Sequence, residues 1–194
     1  MWYMLESISP IQWGVAIGAS LAAAIWDIRT TLIPNWLTGP AVGAGLIYAA
    51  CNGGLSGFGA AVGACVLVAS PYVVLFLLGR GGAGDAKLMG ALGAWLGIAG
   101  GLIALCCVAV VGAAFAALRV LAHPERRTLC SGLVSSIHMY VIALMWGRQG
   151  LAILRTEPQE QAGFNSQQVT IPYGVAILIG VCLAAVMVHL LWIS

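Results

Sequence analysis

Only two residues of this chain are aspartates, Asp27 and Asp85, and each stands where an apolar run meets a short polar one. Asp85 sits in "GRGGAGDAKLMGALG", Gly79 to Gly93, between two strongly apolar stretches. A carboxylate at membrane depth is costly, less so near the interface, so its presence there calls for a reason. Two carboxylates sharing one proton supply a base and an acid at once. One activates water while the other protonates a carbonyl or leaving group. The plainer reading is that each aspartate caps a helix or meets water. A separation of 58 residues establishes no contact by itself. The glycines before Asp85 add weight, because backbone without Cβ lets an extended substrate strand approach closely. Unwound backbone there also offers hydrogen-bonding partners. No GxxxxGK[ST] pattern is present, so a phosphate loop is not expected.

The elements that must position these carboxylates are membrane helices. The 194 residues are 61% hydrophobic and 7% charged, whereas soluble domains carry about 25% charged residues. Apolar runs at about 8–26, 36–52, 57–79, 86–99, 101–121 and 171–192 predict six spans of an all-α, polytopic helix bundle. The run from Ala86 to Ala122 is too long for one span, and Gly100-Gly101 is the expected break. With the N-terminus outside, the inner segments and their bordering helix ends hold all eight basic residues: Arg29, Arg80, Lys87, Arg119, Arg126, Arg127, Arg148 and Arg155. Both aspartates then face the cytoplasm. The segment 131–147 is apolar enough to span, but its Ser, His and Tyr content suits an interfacial or re-entrant helix. GxxxG spacing at Gly14/Gly18, Gly39/Gly43, Gly59/Gly63 and Gly93/Gly97 is expected to serve packing within the chain.

Other chemistries find less support. Six cysteines lie mostly inside apolar runs and never form CxxC, and His123 and His138 form no HExxH, so no metal or other cofactor is expected. Gly54-Leu55-Ser56-Gly57 with His189 resembles the serine–histidine pairing of rhomboid proteases, yet Ser56 falls in a short outer turn. A transporter or proton pathway stays open, since intramembrane carboxylates mark such routes. A non-catalytic scaffold of a secretion machine stays open too. The scattered basic residues give no reason to expect nucleic acid.

The motifs resemble a known family. Gly82-Ala83-Gly84-Asp85 matches the GxGD signature of intramembrane aspartyl proteases, and Gly84 to Leu88 is similar to the GDxKL of type IV prepilin peptidases. "DIRTTLIPNWLT", Asp27 to Thr38, resembles that family's first active-site segment, and "IPYGVAI", Ile171 to Ile177, is a third match in order. The resemblance implies one membrane-embedded peptidase domain over residues 1–194, in the bacterial inner membrane with its active site facing the cytoplasm. It implies Asp27 and Asp85 as the catalytic pair, Gly82 and Gly84 as shapers of the active-site loop, and Lys87 close to the pair. Pro34 and Asn35 would shape the turn into the second helix. The implied substrate is a prepilin with a short basic leader, cut after a Gly just before its hydrophobic helix. Pilus-assembly or secretion machinery would be the further partner. The larger, two-activity members carry an N-terminal methyltransferase region, often with paired CxxC motifs. Neither is found in these residues, so N-methylation is not expected. The short form with IPYGVAI looks most like the peptidases of Flp (tight adherence) pilus systems.

Overall fold

The computed structural model describes residues 9–30, 32–77, 82–122 and 173–193, and every element among them is an α-helix. These are α1 (Pro10–Thr30), α2 (Asn35–Leu77), α3 (Ala83–Ala122) and α4 (Tyr173–Ile193). All four are long and apolar enough to cross a membrane. Helices suit that setting because each satisfies its own backbone hydrogen bonds where no water is present. The chain divides into two compact units, Met1–Ala113 with Ile171–Ser194, and Ala114–Thr170. Of the second unit only the last turns of α3 are described. The segment 131–147 lies outside the described residues.

Helix starts follow the local sequence. Ser9 precedes Pro10, the residue best suited to a first helical position. The Gln12 side chain accepts the Ser9 N–H at 2.7 Å while the Ser9 hydroxyl accepts the Gln12 N–H at 3.4 Å, a reciprocal cap. Asn35 opens α2, and the preceding Pro34 carbonyl accepts the first amides, from Leu37 and Thr38. Pro71 removes an amide within α2, and the Ser70 hydroxyl donates to the Leu67 carbonyl left over, at 2.8 Å.

As straight rods, α2 and α3 would be too long. At about 1.5 Å per residue, the 43 residues of α2 would run about 65 Å, twice a bilayer core of about 30 Å. Each instead contains one glycine at positive φ, Gly54 (60°) in α2 and Gly97 (68°) in α3. The chain reverses at both. A Cβ built on Gly57 would lie 2.5 Å from the Ala49 carbonyl oxygen, and one on Gly101 would lie 3.4 Å from Gly93 Cα. Residues eight apart in a straight helix are about 12 Å apart.

The break in α3 thus falls at Gly97, not at Gly100-Gly101 as the sequence suggested. Gly101 is helical and packs against Val68, whereas Gly97 adopts the left-handed backbone only glycine takes easily. The GxxxG glycines also differ from expectation. Among the described residues only Gly93 packs tightly, against Ala64 of α2, and the other seven meet nothing within 4 Å.

The core joins all four helices through Ala16, Ala23, Val68, Leu88, Met89, Leu92, Val108, Ile177 and Val181. Many large apolar side chains, including Ile11, Ile47, Val66, Val110 and Leu190, remain exposed, as a lipid-facing surface requires. At one end of the bundle, the Gln12 amide donates to the Trp95 carbonyl at 2.6 Å, tying the start of α1 to the Gly97 reversal. The other end holds the last turn of α1 and the starts of α2, α3 and α4.

Candidate active site

Asp27 belongs to the buried face of α1, formed with Ala16, Ser20, Ala23 and Ala24. The helix runs on to Thr30, so Asp27 sits within its last turn rather than after it. Only 7% of its surface is exposed. Its Oδ2 accepts a 2.7 Å hydrogen bond from the backbone N–H of Gly174, the second residue of α4. Amides in a first helical turn lack internal partners, and a carboxylate meets both that need and the helix dipole. Asp27 therefore caps a helix far from it in sequence. The contact requires a glycine: a Cβ on Gly174 would lie 3.1 Å from Asp27 Oδ2 and 3.2 Å from Ala24 Cα.

Asp85 is the third residue of α3 and half-buried. Its carboxylate turns back to accept the N–H of Gly82, just before the helix. The backbone of Ile33, between α1 and α2, lies so close to Gly84 that a Cβ there would be 2.8 Å from Ile33 Cβ. Gly84 thus lets the segment after Asp27 press against the turn that carries Asp85. The two carboxylates lie within electrostatic reach of each other. Each is held by a backbone amide at a helix start.

Lys87 is exposed, and its Nζ donates to Asn35 Oδ1 at 2.7 Å, linking α3 to the start of α2. Beside this bond opens an apolar groove of about 380 Å³, lined by Thr38, Gly39, Val42, Cys65, Ala69, Val73, Ala86 and Gly90. Ala86 and Lys87, which follow Asp85 in α3, line this groove, whereas neither aspartate does.

Two phenols near this site carry no signal in the sequence. Tyr173 opens α4 beside Gly174, and its ring meets that of Tyr72 edge-on, with centroids 6.2 Å apart. The motif "IPYGVAI" flags the segment but gives Tyr173 no role, and Tyr72 lies in an apolar run. Ser56, in contrast, is exposed after the Gly54 reversal and donates to the Gly53 carbonyl at 2.9 Å, a bond within the turn. Among the described residues, no three His, Cys, Asp or Glu side chains converge where they could hold a metal.

This arrangement suits water attack on a carbonyl, with one carboxylate as base and the other as acid. Comparison with known proteins places the chain in a family. Residues 14–117, which contain both aspartates, match the model of the type IV leader peptidase family. The prepilin leader peptidase/N-methyltransferase of Aeromonas salmonicida strain A449 is 33% identical over 135 residues, covering 66% of this chain and 46% of the relative. A protein of the same name from Aeromonas salmonicida matches to the same extent. The chain spans about half the length of these curated relatives. No solved structure matches it. On the match across residues 14–117, the chain belongs to the type IV leader peptidase family.

Proposed function

We propose that this protein is a membrane aspartyl endopeptidase that removes the short basic leader of a Flp-type prepilin at the cytoplasmic membrane face. The juxtaposition of Asp27 and Asp85 carries this reading: the fold brings together the chain's two aspartates from either side of α2. The ionised carboxylate takes a proton from water, and the water oxygen bonds to the scissile carbonyl carbon. The protonated carboxylate gives its proton to the carbonyl oxygen. Collapse of the resulting gem-diol breaks the C–N bond. The leaving amine takes up a proton, and the leader departs with a new carboxyl group.

The reversals at Gly54 and Gly97 support six spans, with both aspartates at one end. With all basic residues inward, that end faces the cytoplasm. Leader removal is the step these residues support. None of them resembles a methyltransferase region, so methylation is not assigned to this chain. Co-expression with a candidate Flp-type prepilin tests the reading, with leader loss read on gels and by mass spectrometry. A prepilin left full-length by the wild-type protein, present and inserted, would overturn it.

A further inference from the structure

We infer that Tyr173, held by Tyr72, is a positioning residue that sets the spacing between the Asp27 and Asp85 carboxylates. The inference rests on the endopeptidase reading for its meaning, but its geometry stands apart from that reading. The start of α4 is fixed on two sides. On one side the Gly174 N–H holds Asp27 of α1 at 2.7 Å. On the other, the Tyr173 ring packs on Tyr72 of α2 with an interplanar angle of 69°, and the two phenols share a hydrogen bond. The Tyr173 hydroxyl also lies over Gly112 of α3, 2.7 Å from where a Cβ would stand. One dipeptide, Tyr173-Gly174, therefore ties α1 to α2 and α3.

The hydroxyls need an explanation beyond packing. Tyr72 is 7% exposed, and a buried hydroxyl costs free energy unless it is hydrogen-bonded. Two phenylalanines would fill the same space with no such cost. The bond with Tyr72 gives the Tyr173 hydroxyl a partner, and it fixes the two rings in one register. Tyr173 also lies within electrostatic reach of Asp85. A shift of the α4 start would move Asp27 through Gly174 while leaving Asp85, held by Gly82 just before its own helix, in place. The spacing of the pair then depends on the Tyr72–Tyr173 bond. Among the described residues, the titratable groups around the Tyr173 phenol are Asp85 from α3 and Tyr72 from α2, and α1 presents Asp27 beside Gly174.

Two measurements test this. In the first, spin labels replace Ile28 and Lys87, exposed neighbours of the two aspartates, in a background without the native cysteines. Tyr173→Ala should broaden or lengthen the label-to-label distance, and an unchanged distribution overturns the inference whether or not the protein cleaves anything. In the second, prepilin cleavage is followed with purified variants. Misplacement near 1 Å costs about 10²-fold in rate, so Tyr173→Ala should lose about that in kcat, and Tyr173→Phe about tenfold, the latter with KM and thermal melting little changed. Tyr72→Phe with Tyr173→Phe should lose less than the sum of the two single losses, because the bond they share is lost in each case. The limbs of the pH–rate profile should also move in Tyr173→Phe. Wild-type kcat in Tyr173→Phe, or losses that add in the double variant, refute the clamp. Failure of the wild-type protein to cleave refutes the endopeptidase reading and leaves the distance measurement to decide the clamp.

Discussion

The backbone N–H of Gly174 donates a 2.7 Å hydrogen bond to Oδ2 of Asp27, although the two residues are 147 positions apart. The bond gives the aspartate a structural duty, as the cap of α4, alongside its candidate catalytic one. Capping and catalysis, the two readings open for a lone Asp in the sequence, are here compatible: a carboxylate fixed through one oxygen is held in place for chemistry.

That double duty separates two kinds of variant. Asp27→Asn keeps a side-chain oxygen that can accept the Gly174 N–H but cannot exchange a proton as the acid does. Asp27→Asn and Asp85→Asn should each abolish leader cleavage, with loss of at least about 10²-fold, while the protein still inserts and melts near the wild-type temperature. Ser56→Ala should cleave at the wild-type rate, since its hydroxyl bonds only within a turn. Leader cleavage measured beside melting temperature checks all three. A fully active Asp85→Asn protein would sink the aspartyl mechanism.

Gly174→Ala tests how closely α4 must approach α1. The added methyl would sit 3.1 Å from both Cβ and Oδ2 of Asp27, so one of them must give way. Overpacking of this kind costs about 1–3 kcal/mol, and a corresponding drop in thermal stability is expected with reduced cleavage. Gly18→Ala, on α1 and with nothing within 4 Å, is the control. It should change stability by about 1 kcal/mol at most, in the stabilising direction. Equal effects at the two positions would remove the case for a close contact at Gly174.

Topology can be read by labelling single cysteines from outside intact cells, with the native cysteines replaced. Six spans with all basic residues inward place positions near Asn35, Lys87 and Gln159 inside and both termini outside. Protection at those positions with labelling at Asn52 is the expected pattern, because Asn52 precedes the Gly54 reversal. Labelling of position 159 from outside would instead favour a seventh span at 131–147.

The all-helical membrane character and the family were legible in the sequence, for physical reasons. Long apolar runs leave only helices as membrane-crossing elements, and a carboxylate in such a setting is rare enough to mark itself. What stayed hidden depends on which neighbour a residue meets. Gly97 and Gly100 look alike in sequence, and only the turn geometry selects Gly97 for positive φ. Spacing suggested packing for Gly14 and Gly18, yet they face open space, because GxxxG says that two glycines share a helix face and not what covers it. The Tyr72–Tyr173 bond joins two residues with no periodic or motif relation, so no local pattern could announce it.

If the proposed function holds, the position of the cut follows from where the carboxylates sit. Both lie at one end of the bundle, beside the segments that carry Arg29 and Lys87, which a positive-inside arrangement places in the cytoplasm. A precursor with a basic leader is held with that leader inside and its hydrophobic helix in the bilayer. Its leader–helix junction then falls at the depth of Asp27 and Asp85. The exposed Gly82 leaves the turn before α3 without side-chain bulk, so an extended junction can pass close to Asp85 once the precursor helix unwinds locally. On the proposed function, and on the resemblance that implies a glycine at this junction, cleavage is expected directly after the glycine that ends the leader of a small Flp-type prepilin, with no methyl group added by this chain. Purified protein and prepilin in liposomes, with and without S-adenosylmethionine, give the answer by mass spectrometry of the new N-terminus. A cut within the hydrophobic helix would contradict the assigned depth of the pair. A gain of one methyl in the presence of S-adenosylmethionine would show a second activity in these 194 residues.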